Sequence, residues 1–115
     1  MFYNVDFDVK FQNIDKSLVI YSGLSNHFKD GMTVGGTLYL LRDRLIFQTN
    51  LINFIKRHEH TILLNQINDV SIVNTSGFFK NELLIHNKDG DDEMFIVNKR
   101  IVWKNEIESQ INKQK

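Results

Sequence analysis

With 115 residues, 42% of them hydrophobic and 24% charged, the chain is long enough for one domain around one core and too apolar to be disordered. Its 14 basic and 14 acidic side chains cancel, so no global field draws it to nucleic acid or an anionic membrane, and such binding needs a local patch. Cysteine is absent, which excludes disulfides, thiolate chemistry and cysteine-ligated zinc.

The opening MFYNVDFDVK has no basic n-region and no unbroken apolar h-region, so it is not a signal peptide. No run approaches the roughly 18 apolar residues of a spanning helix, and the sequence points to the cytoplasm. Val5, Phe7, Val9 and Phe11 alternate with Asn4, Asp6, Asp8 and Lys10, the period of a strand with one buried face. Residues 13–17 read as a loop. Leu18 to Tyr21 starts a strand that continues toward Phe28 and ends at Lys29-Asp30-Gly31, a turn signal. Val34 to Leu41 is the next strand, where Gly35 and Gly36 suggest a bulge or a close backbone approach. After a tight reversal come strands over Arg44 to Thr49, His58 to Leu64 and Ile67 to Asn74, with an irregular connection at 50–57. Leu83 to Asn87 and Met94 to Val97 form a last pair around Asp89-Gly90. From Asn98, a plausible N-cap, the period changes: Trp103, Ile107 and Ile111 recur at four-residue spacing on one helical face.

A run of hairpins must close on itself or hide its edges, and a helix bearing an indole and two isoleucines suits the open end of a bent sheet. The order is one domain of antiparallel strands capped by one C-terminal amphipathic helix, a mainly β architecture.

The segment GGTLYLLRDRLIF, a glycine-led strand running through a tight basic turn into Leu-x-Phe, resembles the signature of the GRAM domain. The later KDGDDEMFIVNKRIVWKNEI is similar to that family's closing hairpin and helix. The resemblance runs from about Leu18 to Ile111, as in a small single-domain member of the bacterial type. It implies the pleckstrin-homology-like fold, a seven-stranded split antiparallel barrel capped by a C-terminal helix. It also implies a non-enzymatic module that engages membrane lipids or proteins. On this reading residues 17–115 are the module, and residues 1–16 are an N-terminal extension carrying an extra strand.

Several constellations compete for a functional role. Lys29 followed by Arg42-x-Arg44 matches a phosphoinositide-binding pattern as text. A strand over Val34 to Leu41, however, is roughly 25 Å long at about 3.3 Å per residue, which puts Lys29 and the arginines at opposite ends. The triplet Arg42-Asp43-Arg44 therefore reads as a hairpin tip, with Asp43 serving the turn backbone. Phe78 and Phe79, between Gly77 and Lys80, cannot both face inward on a strand, so one is offered to a membrane or a partner pocket unless the loop folds back over both. Phe54 beside Lys56 and Arg57 suits a membrane-surface or protein contact, and equally a loop packed on the barrel.

His58 and His60 share one strand face, but a zinc site needs further ligands, and they read as solvated histidines with no metal. Asp89 to Glu93 is an acidic turn rather than a calcium loop, because Asn98 stands where the closing glutamate belongs. Ser22, Ser25 and His27 lie close in sequence, yet a triad is a matter of geometry. No nucleophile elbow or phosphate-cradling loop is present, so neither catalysis nor a cofactor is expected. The stripe Val5, Phe7, Val9 and Phe11 either pairs along an open edge of its own barrel or adds to a neighbouring subunit, making a homo-oligomer. The expected partners are a protein or a membrane lipid surface, with no nucleic acid. An oligomerising adapter acting through the N-terminal strand is the alternative.

Overall fold

A computed structural model describes residues 13–29, 31–49, 58–73 and 81–115. Among these residues seven strands follow one another: β1 (Tyr21–Lys29), β2 (Met32–Leu40), β3 (Arg44–Thr49), β4 (Glu59–Leu63), β5 (Ile67–Val73), β6 (Glu82–Asn87) and β7 (Glu93–Val97). The helix α1 (Arg100–Gln114) closes the order, and short 3-10 turns lie at Lys16–Leu18 and Leu64–Gln66. All strand pairs are antiparallel in a single sheet of order β4-β3-β2-β1-β7-β6-β5. The long β1 pairs with β2 over its whole length and with β7 over its second half, so it is shared by both halves of the curled sheet. Residues 1–12, which hold the strand expected in the N-terminal extension of residues 1–16, lie outside the described residues.

Alternation places Leu38 and Leu40 of β2, Leu45 and Phe47 of β3, Leu83 and Ile85 of β6, and Phe95 and Val97 of β7 in one buried cluster with Trp103 and Ile107. The helix does what its stripe predicts: Trp103 and Ile107 are buried and Ile111 is partly buried against the core. Each large side chain so removed from water contributes on the order of 1.5–3 kcal/mol.

The reading in sequence holds for β3 to the residue and for the other strands within a few positions, with two differences at element starts. Leu18 sits in a 3-10 turn capped by the Asp15 carboxylate, which accepts from Ser17 N at 3.0 Å, so β1 begins at Tyr21. Asn98 does not cap α1. Lys99 occupies that position in the left-handed region, φ 56°, with no side-chain cap, and its carbonyl accepts the first helical bond from Trp103 N at 3.1 Å.

Gly36 is a close approach, as its doublet suggested. A Cβ there would stand 2.1 Å from Gln48 O and 2.8 Å from Phe47 Cζ, so only glycine lets β2 lie this tightly against β3.

Candidate functional site

The triplet that interrupts β2 and β3 is a hairpin tip. Leu41 N donates to Arg44 O at 2.9 Å, closing the reversal. Asp43 serves Arg44 as well as the turn backbone: Nε and Nη2 of Arg44 donate to its two carboxylate oxygens at 3.0 and 2.9 Å, and its own backbone N–H adds a further bond. That fork holds the Asp43 carboxyl below its ordinary range. β1 and β2 pair from Tyr21↔Leu40 to Lys29↔Met32. Lys29 and the arginines are thus separated along a nine-residue strand, about 26 Å at 3.3 Å per residue. They do not converge on one headgroup.

A second cluster forms inside the barrel, and β1 explains it. Tyr21 meets the Trp103 indole edge-on, with ring centroids 4.7 Å apart and planes at 75°. Gly23 lies beneath the same indole, where a Cβ would be 3.7 Å from it. Those two contacts fix which face of β1 points inward. By alternation Ser25 and His27 then face in, both buried, while Leu24 and Phe28 face out at 70% and 40% exposure. Composition alone would have placed the leucine and the phenylalanine inside.

His27 stacks on Phe95, centroids 4.6 Å apart and planes at 15°, and tilts against Phe47 at 5.3 Å. Its Nε2 donates to Glu93 Oε1 at 2.7 Å, and its Nδ1 meets His58 Nε2 at 3.2 Å. His60 Nε2 donates to the other oxygen of Glu93. His58 and His60 are therefore partly buried members of a network joining β1, β4 and β7, not the solvated strand histidines expected. Burial pushes the Glu93 carboxyl up, but hydrogen bonds from His27 and His60 outweigh it and hold it at about 2.

The network does not form a metal centre. The His27 and His60 planes lie 20° apart with centroids 5.3 Å apart, and each aims a nitrogen at a different carboxylate oxygen. Among the described residues, no group of three His, Asp or Glu side chains is placed to hold a metal.

A third arrangement was invisible in sequence. Ser71 Oγ lies 2.8 Å from His86 Nε2, and His86 Nδ1 lies 3.0 Å from Asp92 Oδ2. The connectivity is that of a hydrolytic triad, but Ser71 and His86 stand on the outward, convex face of β5 and β6 and Asp92 is 43% exposed. A convex face gives an acyl group no wall to lie against, and water competes for each bond. It is a surface polar network.

The outward face is apolar at its centre. Phe28 of β1 is opposite Met94 of β7, which is opposite Leu84 of β6, so three apolar residues form a row across three strands. Leu24 and Ile96 flank it and line a shallow cleft of about 390 Å³ together with Asn26, Gly35 and Asn98. The turn leading into β7 carries Asp89, Asp91 and Asp92, and Asp91 N donates to Asp89 Oδ1 at 2.9 Å, so this is the acidic turn read from sequence. Phe54, Lys56, Arg57, Phe78, Phe79 and Lys80, the candidate membrane or partner contacts, lie outside the described residues. So do Val5, Phe7, Val9 and Phe11. Among the described residues no helix is long and apolar enough to cross a membrane.

No family model matches the sequence, and no curated protein matches it. Solved structures do. The C-terminal domain of an unknown protein from Leishmania infantum superposes with a TM-score of 0.72 at 17% identity, covering 81% of this chain and 83% of that one. The PH domain of Slm1, solved with phosphoserine, gives 0.66 at 12% identity, covering 84% and 98%. The DH/PH fragment of PDZRHOGEF, solved with human RhoA, gives 0.66 at 15% identity, and there the match spans 83% of this chain but only 29% of the fragment. Seven antiparallel strands in a curled half-barrel, closed by one C-terminal helix, give this chain the pleckstrin-homology-like fold.

Proposed function

We propose that this chain is a non-catalytic binding module that docks a protein partner on the outward face of β1, β7 and β6. The observation that carries the reading is Leu24, 70% exposed on a strand whose buried face holds a histidine and a serine. Phe28, Met94 and Leu84 form an apolar row farther along the same face, and Ile96 lines one cleft with Leu24. The occupant is an extended apolar segment flanked by basic residues, because Asp89, Asp91 and Asp92 border the Met94 end of the row. The same acidic turn, and the ionised Glu93 behind it, oppose an anionic lipid headgroup. The residues of GGTLYLLRDRLIF lie on the β2–β3 hairpin, and those of KDGDDEMFIVNKRIVWKNEI on the β6–β7 turn, β7 and α1. That placement supports the finer reading of a GRAM-type member.

An array of immobilised peptides with alternating leucine and flanking lysine, beside the same peptides with flanking glutamate, tests this. Wild type is expected to bind the lysine-flanked set, more weakly as salt rises, and Leu24→Asp is expected to lose it. Vesicles provide the opposing arm: sedimentation with phosphatidylserine vesicles but not neutral ones, without peptide binding, would replace the protein reading with a peripheral membrane role. Lys56→Glu and Phe78→Ala would then locate the contact.

A second reading is self-association through Val5, Phe7, Val9 and Phe11. It is favoured by β4 and β5, each of which, among the described residues, has a sheet neighbour on one side only and so presents an edge for strand addition. Sedimentation velocity of the chain with and without residues 1–12 decides it. An unchanged mass on deletion sinks the idea.

A further inference from the structure

His27 has both ring nitrogens engaged inside the barrel, and each contact limits where protons can sit. A carboxylate only accepts, so the Nε2 that meets Glu93 Oε1 at 2.7 Å carries a proton. The Nδ1···Nε2 contact with His58, at 3.2 Å, needs one proton between its two nitrogens. With none, two lone pairs oppose each other; with two, a pair of N–H groups point at each other. The contact therefore survives when the two rings together are neutral or carry one positive charge. It cannot survive when both are imidazolium.

The groups facing this pair come from four strands. β1 contributes His27 itself, β7 contributes Glu93 and the apolar Phe95, β3 contributes Phe47, β4 contributes His60, and His58 is the residue leading into β4. Glu59, between the two histidines in sequence, accepts from Gln48 Nε2 at 2.7 Å. Glu93 thus answers two of the three imidazoles, His27 and His60. Among the described residues β4 is an outer strand laddered to β3, and the contacts of His58 and His60 add ties across the barrel to β1 and β7.

We propose that the His27–His58 contact is an acid-released latch between β1 and the residue leading into β4, closed while the pair holds at most one extra proton and opened by the second. Unfolded histidines each take a proton near the ordinary value of about 6.5. While the latch stays closed it refuses one proton that the unfolded chain accepts. The unfolding equilibrium constant then rises by up to about tenfold per pH unit below that value, and levels off once the latch has opened. The device is independent of what the outward face binds.

The test is an imidazole nitrogen NMR titration of the whole chain from pH 8 to pH 4.5, read beside its backbone amides. The expected result is one proton shared by His27 and His58, followed by a second uptake that coincides with shifts in the Glu59–Leu63 amides. Denaturant unfolding over the same range supplies a variant arm. His58→Asn, whose amide can donate to or accept from His27, should flatten the pH slope, while His86→Asn on the outward face should leave it unchanged. Independent protonation of both rings with silent β4 amides would overturn the proposal. So would a pH slope untouched by His58→Asn, or an equimolar zinc addition that raises the unfolding midpoint at pH 7 and perturbs both rings.

Discussion

The Glu93 carboxylate, at the first residue of β7, receives His27 from β1 on one oxygen and His60 from β4 on the other. One side chain thereby ties three strands that are far apart in sequence, at a place where the barrel wall would otherwise be apolar. A buried charge survives only when paired and hydrogen-bonded, and here two donors meet that condition.

Glu93→Gln should therefore destabilise the fold by about 2–3 kcal/mol, because the amide can accept from one imidazole but sets its NH₂ against the other. Thermal unfolding should show this as a midpoint roughly 10 °C lower. The carboxyl stands at about 2 when folded against an ordinary 4.5, so it is depressed. Its contribution is complete above pH 4.5, on the order of 2 kcal/mol, and is lost as pH falls from 4.5 toward 2. Wild type should weaken across that window in denaturant titrations, and Glu93→Gln should not show this component.

Two glycines on neighbouring strands should respond oppositely to one methyl group. Gly36→Ala drives a Cβ to 2.1 Å from a backbone oxygen, which β2 and β3 can relieve only by separating. A loss of about 2–3 kcal/mol or failure to fold is expected. Gly23→Ala meets only Trp103, at 3.7 Å and beyond, an ordinary contact, and should change stability by less than about 1 kcal/mol. Urea midpoints of the two variants make the comparison.

Trp103→Ala removes the ring that packs Tyr21 and closes the core from the helix side. The expected cost is about 3–5 kcal/mol, enough to leave much of the chain unfolded. Circular dichroism and near-ultraviolet fluorescence of the tyrosines would report it.

Lys99→Gly should stabilise. The lysine holds φ at 56° at the entry to α1, a conformation that costs a side-chain-bearing residue about 1 kcal/mol and glycine nothing. A rise of about 0.5–1 kcal/mol in denaturant unfolding is expected, reduced by the larger entropy of glycine in the unfolded chain.

What the sequence by itself determined is the order of elements and the identity of the cap. Apolar runs bounded by turn signals located β2 to β7, and the step of four at Trp103, Ile107 and Ile111 located α1 because one helical face is dry. The Arg42-Asp43-Arg44 tip was legible for the same local reason: a charged triplet between two apolar runs reverses the chain. The start of α1 was misplaced because a left-handed Lys99 has no signature in composition, whereas Asn98 resembles a cap. Only the tertiary structure decided the histidine network and the outward apolar row. Residues 27, 60 and 93 come from three strands and residue 58 leads into one of them, and their meeting depends on how the sheet curls rather than on any spacing. The facing of β1 was settled by the helix: the indole of Trp103 packs over Gly23 and edge-on against Tyr21. That constraint outweighs the modest gain of burying Leu24, turning a leucine and a phenylalanine to the surface and a histidine to the core.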